Sequence, residues 1–165
     1  MRSFCIGLLS LASCSALAVE PPCQPEHFST HLEHYQLEAN PQLDSHFSAE
    51  ARHAYQIDNK LILCDLTVAF HFDQKDLLLT APDALYIDNV YQFNQAQLTI
   101  KIPDLTENII VSSPQLTWPN QSAILTLNQP ELKTDDNVIS AKQMSINTHT
   151  FAMSLEQANI ISFLE

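Results

Sequence analysis

The chain has 165 residues, with seven Lys and Arg set against nineteen Asp and Glu, and a formal net charge of −12. So acidic a chain lacks the clustered Lys and Arg that phosphates require, which excludes nucleic acid as a partner and argues against docking on anionic membranes. Its one glycine, Gly7, lies near the start, so glycine-rich phosphate loops, dinucleotide fingerprints and nucleophile elbows are all excluded from the rest of the chain.

Residues 1–18 read as a cleavable export signal. Arg2 supplies the positive start, an apolar run follows from Phe4 to Leu17, and Ala16-Leu17-Ala18 has the small-x-small form that signal peptidase cuts after. A second reading takes Leu11-Ala12-Ser13-Cys14 as a lipidation box that would tether the protein to a membrane; the apolar stretch before Cys14 is short for that purpose. No later run is apolar enough for a spanning helix. The chain is therefore expected to be exported.

Residues 19–44 form an N-terminal arm. Cys23 within it and Cys64 beyond it are the two cysteines left after cleavage. In an oxidising compartment they are expected to pair, which in the chain-entropy model is worth about 4 kcal/mol; the competing reading leaves Cys23 free and Cys64 as a small buried hydrophobe. The stretch HFSTHLEHYQLEA permits a short helix presenting Phe28, Leu32 and Tyr35, or a strand through Tyr35, Leu37 and Ala39, and Pro41 closes either. On a helix His27, His31 and His34 would share a face, with Glu26, Glu33 and Glu38 close by. Zinc or copper geometry is strict, however, and a solvated polar arm explains the pattern. Neither a metal nor a cofactor is therefore expected.

From residue 45 to 165 the chain alternates with period two. Phe47, Ala49, Ala51, Tyr55 and Ile57 mark one strand, and Ile62, Cys64, Leu66, Val68, Phe70 and Phe72 a second. Leu98, Ile100 and Ile102, then Ala123, Leu125 and Leu127, then Phe151, Met153 and Leu155 mark others. Asp58-Asn59, Asp88-Asn89, Pro119-Asn120 and Asp135-Asp136-Asn137 supply turns without glycine. FSAEARHAYQIDN, LLTAPDALYIDN, VSSPQLTWPN and ISAKQMSINT share one form and align on Ala49, Ala81, Ser113 and Ala141. Each continues into a second alternating strand. Two-strand units cannot bury an apolar face alone, so the expected fold is all-β, a twisted two-sheet jelly roll or sandwich built from repeated units.

Catalytic machinery is not evident. The serines lack an activating base in any motif, and paired carboxylates such as Asp135-Asp136, or Asp73 with Asp76, fall at apparent turns. No enzyme is expected.

One stretch, SHFSAEARHAYQIDNKLILCDLTVAFHFDQKDLLLTAPDALYID, resembles the repeat of the periplasmic lipopolysaccharide-transport proteins, components A and C, also called the organic-solvent-tolerance N-terminal domain. Phe47-Ser48-Ala49-Glu50 matches the first strand, Asn59 through Phe70 the turn and second strand, and Thr80 through Tyr86 the next strand start. Later units extend the similarity to the C-terminus more weakly. The resemblance implies a jelly roll that holds lipid A acyl chains between its sheets, and strand pairing with other envelope transport proteins into a transenvelope bridge. In this acidic chain acyl-chain burial would have to drive binding, at about 25 cal/mol per Å². The inward faces then expected to meet lipid are Leu66, Val68, Phe70, Leu79, Leu85, Leu98, Ile100, Leu125, Leu127, Ile146, Met153 and Leu155. The alternative is an envelope β-sandwich that binds a protein partner and has no lipid slot.

Overall fold

The computed structural model describes residues 23, 27–38, 46–72, 75–101, 108–120, 122–134 and 137–162. The export signal with its cleavage point and Cys14, Ile102, and the Asp135-Asp136 turn lie outside the described residues. No helix among those described is long and apolar enough to cross a membrane.

The protein is all β. Six strands, β1 (Thr30–Glu38), β2 (His46–Ile57), β3 (Lys60–Phe72), β4 (Lys75–Ile87), β5 (Val90–Lys101) and β6 (Ile109–Pro119), pair antiparallel in chain order. Shorter strands follow: β7 (Ile124–Asn128), β8 (Glu131–Lys133), β9 (Asn137–Ser140), β10 (Gln143–Asn147), β11 (Met153–Glu156) and β12 (Asn159–Ser162). Both β7 and β8 pair with β6, at its two ends, and the pairing continues through β10 to β11 on one side and through β9 to β12 on the other. Within the N-terminal arm, residues 30–38 are thus the edge strand β1. The helical reading of that arm is corrected: Tyr35 and Leu37 lie opposite Ala51 and Ala49 and pack on the core. Sheet pairing outweighs the weak helical stripe, as tertiary context commonly does.

A single crease crosses the six long strands and continues between the short ones, separating β7 from β8, β9 from β10 and β11 from β12. His34, Asp65, Gln95, Gln129 and Gln157 adopt left-handed backbone with φ of 49–54°. They lie in the same cross-strand row as Arg52, Pro82, Pro114 and Lys142, where regular pairing lapses, while the register on either side is unchanged; Ala51 opposite Leu66 and His53 opposite Cys64 flank one such point. Left-handed backbone without glycine costs about 1–2 kcal/mol at each residue, tolerated because the ladder resumes at once on both sides. Proline suits the row, since no ladder bond is lost there.

The crease shifts the alternation. Buried residues step by three across it instead of two: Ala51 to Ala54, Leu63 to Leu66, Ala81 to Ala84, Phe93 to Ala96, Ser113 to Leu116 and Leu127 to Pro130. Each of the six long strands therefore bends and contributes to two half-sheets that face each other, and the short strands extend one half each, which yields the expected two-sheet roll from one continuous sheet. Across the gap, Phe47 of β2 and Phe70 of β3 meet Trp118 of β6, with ring centroids 5.3 and 5.2 Å apart. The repeat is real, with one amendment. Ala81, Ser113 and Ala141 all stand just before the crease, and their counterpart in the first unit is Ala51, where the sequence alignment chose Ala49. Small side chains fit there because the bend brings neighbouring strands' inner residues together.

Cys23 and Cys64 form a disulfide with Cα atoms 5.6 Å apart, within the usual span. Cys64 alternates with the core residue Leu63, so the bond fastens the N-terminal segment to the outer face of the sheet. Hairpins close at Asp58-Asn59 and Asp88-Asn89, where Asp58, Asp88 and Asn89 supply the positive φ that glycine would otherwise provide.

Candidate functional site

The inner surface is organised in rows that cross the whole sheet. One runs through Leu32, Ala54, Leu63, Ala84, Phe93, Leu116, Leu127, Met144 and Leu155. In the opposing half-sheet another runs from Leu37 through Val68, Leu79, Leu98, Val111 and Leu132 to Ile139 and Ile160. Between them these rows hold most of the core, and their central members exclude water completely.

Of the residues expected from sequence to face inward, Leu66, Val68, Phe70, Leu79, Leu98, Ile100, Leu125, Leu127 and Ile146 are buried in this interior. Met153 and Leu155 continue the inner rows, opposite Ile146 and Met144, but on the margin strand β11, so they are 38% and 40% exposed. Leu85 does not face inward. It alternates with buried Ala84 and pairs with Ile62 and Gln92, which puts it on the outer face. Ile62 and Cys64 are likewise opposite in face to Leu66, although simple alternation groups them together. The cause in each case is the phase shift at the crease.

Between the half-sheets a narrow apolar mouth is lined by Tyr35, Leu37, Phe47, Tyr91 and Trp118, with Val68 and Phe93 deeper in. Its free space is about 10 Å³, room for one water at most. Among the described residues this mouth is thus closed to a ligand; engineered cavities that admit even benzene are about 150 Å³. Trp118 Nε1, at the mouth, donates to the Ser122 carbonyl at 2.7 Å. Tyr91 stacks on Trp118 at 5.4 Å, and burial, followed by Tyr35 and Tyr86, pushes its phenol up to about 12. It remains neutral at any physiological pH. The opposition of Tyr91 and Trp118 to Phe47 and Phe70 depends on the fold of the sheet, which no local pattern encodes.

Both margins of the sheet are unpaired among the described residues. β1 pairs with β2 alone, while β11 and β12 pair with β10 and β9 alone. Each margin ends in large apolar side chains: Leu32 is 48% exposed, Ile160 62% and Ile161 52%. Open, apolar strand edges are templates for further strand pairing.

No protein-family model and no curated protein matches the chain. Among solved structures it is similar to LptH of Pseudomonas aeruginosa, described as the LptA-homologous periplasmic component of the conserved lipopolysaccharide transport device. That likeness has a TM-score of 0.51 and 11% identity, and it covers 70% of this chain and 93% of that one. The fold is accordingly the β-jelly roll of the LptA type, the architecture that the sequence repeat suggested.

Proposed function

We propose that this chain is a non-enzymatic periplasmic component of a lipopolysaccharide-transport bridge, or of one carrying a similar amphiphile. The observation that carries the reading is the continuity of the inner rows: each runs unbroken from one open margin to the other and ends on exposed Leu32, Leu155 or Ile160. A second strand-bearing protein pairing with either margin would extend the same apolar trough into its neighbour by β-augmentation. The disulfide supports an oxidising envelope compartment. Acyl chains would enter at the mouth formed by Tyr35, Phe47, Tyr91 and Trp118, and the closed interior requires the half-sheets to part there as lipid enters.

The pairing is tested by cysteines at Leu32 and Leu155, with cross-linking measured between copies and between the protein and its envelope partners. Cross-links that Met153→Lys and Ile160→Lys abolish support the bridge. A monomer without partner cross-links at either margin removes it.

The closure of the interior favours a second reading, an envelope sandwich whose open margins bind a protein partner while its core stays dry. Densely packed interiors are the rule for structural cores. The two readings separate on lipid capture, since only the first places lipid against inner-row residues.

A further inference from the structure

The geometry points to a zinc site on the outer face of the sheet, formed by His31 and Glu33 of β1 and His53 of β2. Leu32 belongs to an inner row, so its neighbours His31 and Glu33 both project outward, and the register sets Glu33 directly opposite His53. One ligand atom from each of the three residues lies within 4.8 Å of the others. His31 Nε2 and His53 Nδ1 are 3.2 Å apart. Two nitrogens on a tetrahedral zinc with bonds of 2.0–2.1 Å stand about 3.3 Å apart, so both imidazoles already have the spacing the ion demands. In the metal-free protein that same distance makes a hydrogen bond, one ring donating and the other accepting; the alternative tautomer of the donor ring frees the second lone pair for metal.

The surroundings hold the rings in place. Tyr55 stacks on His31 at 4.5 Å and 6°, and Phe28 packs against both, at 5.7 Å from His31 and 5.3 Å from Tyr55. Glu33 is exposed, so its carboxylate is free to close the remaining gap. Two imidazoles and one carboxylate suit zinc, whereas magnesium and calcium require more oxygen ligands than this site has. Three protein ligands leave a fourth position for water or for a group from a partner. The ligands come from both strands of the β1–β2 pair, so a bound ion fastens the edge strand β1 to its one neighbour.

The site arises only from strand pairing. The histidines brought together are His31 and His53, distant in sequence, and the helical trio of His27, His31 and His34 does not form.

The test is calorimetric titration of the oxidised chain with Zn²⁺, and with Mg²⁺ as comparison, alongside hydrogen exchange of the β1 amides. One Zn²⁺ is expected per chain, with no Mg²⁺ bound and slower exchange across residues 30–38. Loss of a direct ligand should cost at least as much as loss of an outer partner, about 10- to 100-fold in affinity. Glu33→Gln, an exposed substitution that leaves the fold intact, and His53→Asn should each show that loss, while His71→Asn binds normally. No zinc binding, or zinc binding that survives both Glu33→Gln and His53→Asn, would overturn the assignment.

Discussion

Leu79 and Leu85 are both odd-numbered positions of β4, so uninterrupted alternation would place them on one face. The crease at Pro82 separates them: Leu79 is fully buried between Val68 and Leu98, and Leu85 lies half-buried on the outer face between Ile62 and Gln92. Leu79→Ala removes methylene burial at about 0.8 kcal/mol each and leaves a cavity in a packed row, for a total of about 3–4 kcal/mol. Leu85→Ala gives up only partial burial at a surface able to relax, about 1 kcal/mol. Urea unfolding of the oxidised chain, followed by the fluorescence of buried Trp118, measures both. At a slope of about 2 kcal/mol per M, Leu79→Ala should lower the midpoint by roughly 1.5–2 M and Leu85→Ala by roughly 0.5 M, with the slope unchanged. Equal shifts would refute the crease, because they would mean one face and one uninterrupted strand.

The crease also predicts an asymmetry at Gln95, which has φ of 49°: Gln95→Val should cost about 1–2 kcal/mol, whereas Gln97→Val, two residues on in regular strand, should be near neutral in the same unfolding assay. Cys23→Ser opens the disulfide, which spans 41 residues, and should destabilise by about 4 kcal/mol, an increment that a reductant abolishes in the parent chain. Tyr91 has its phenol raised from 10.0 to about 12, so the fold favours its neutral form. That contribution is complete below pH 10 and is lost as pH rises from 10 to 12, because the unfolded chain releases the proton first. Tyr91→Phe should flatten the alkaline fall in stability by about 2 kcal/mol at most, and an unchanged pH profile would argue that this phenol titrates normally.

Much of the fold was legible in residues. The absence of glycine and the Asp-Asn pairs located the hairpins; apolar alternation located the long strands; and Ala81, Ser113 and Ala141 marked the repeat. The half-sheets were not legible, because a three-residue step inside a strand looks like continued alternation when both faces carry apolar residues, as in Leu61-Ile62-Leu63-Cys64. Leu85 was misplaced for that reason. Met153 and Leu155 continue the inner rows, but their exposure depends on β11 being the last strand of its half among the described residues, a fact of topology. The arm was ambiguous because its residues satisfy helix and strand about equally, and pairing with β2 decides between them.

The claim that the interior carries lipid is tested most directly by in-cell photocrosslinking. A photoreactive phenylalanine derivative at Phe47, in the mouth, and at Leu155, on the open margin, is compared with one at Thr117 and at Ser154 on the outer face. The account predicts lipopolysaccharide adducts at Phe47 and Leu155 and none at the two outer positions. Protein adducts without lipid at the inner positions, or lipid captured equally on both faces, would contradict it.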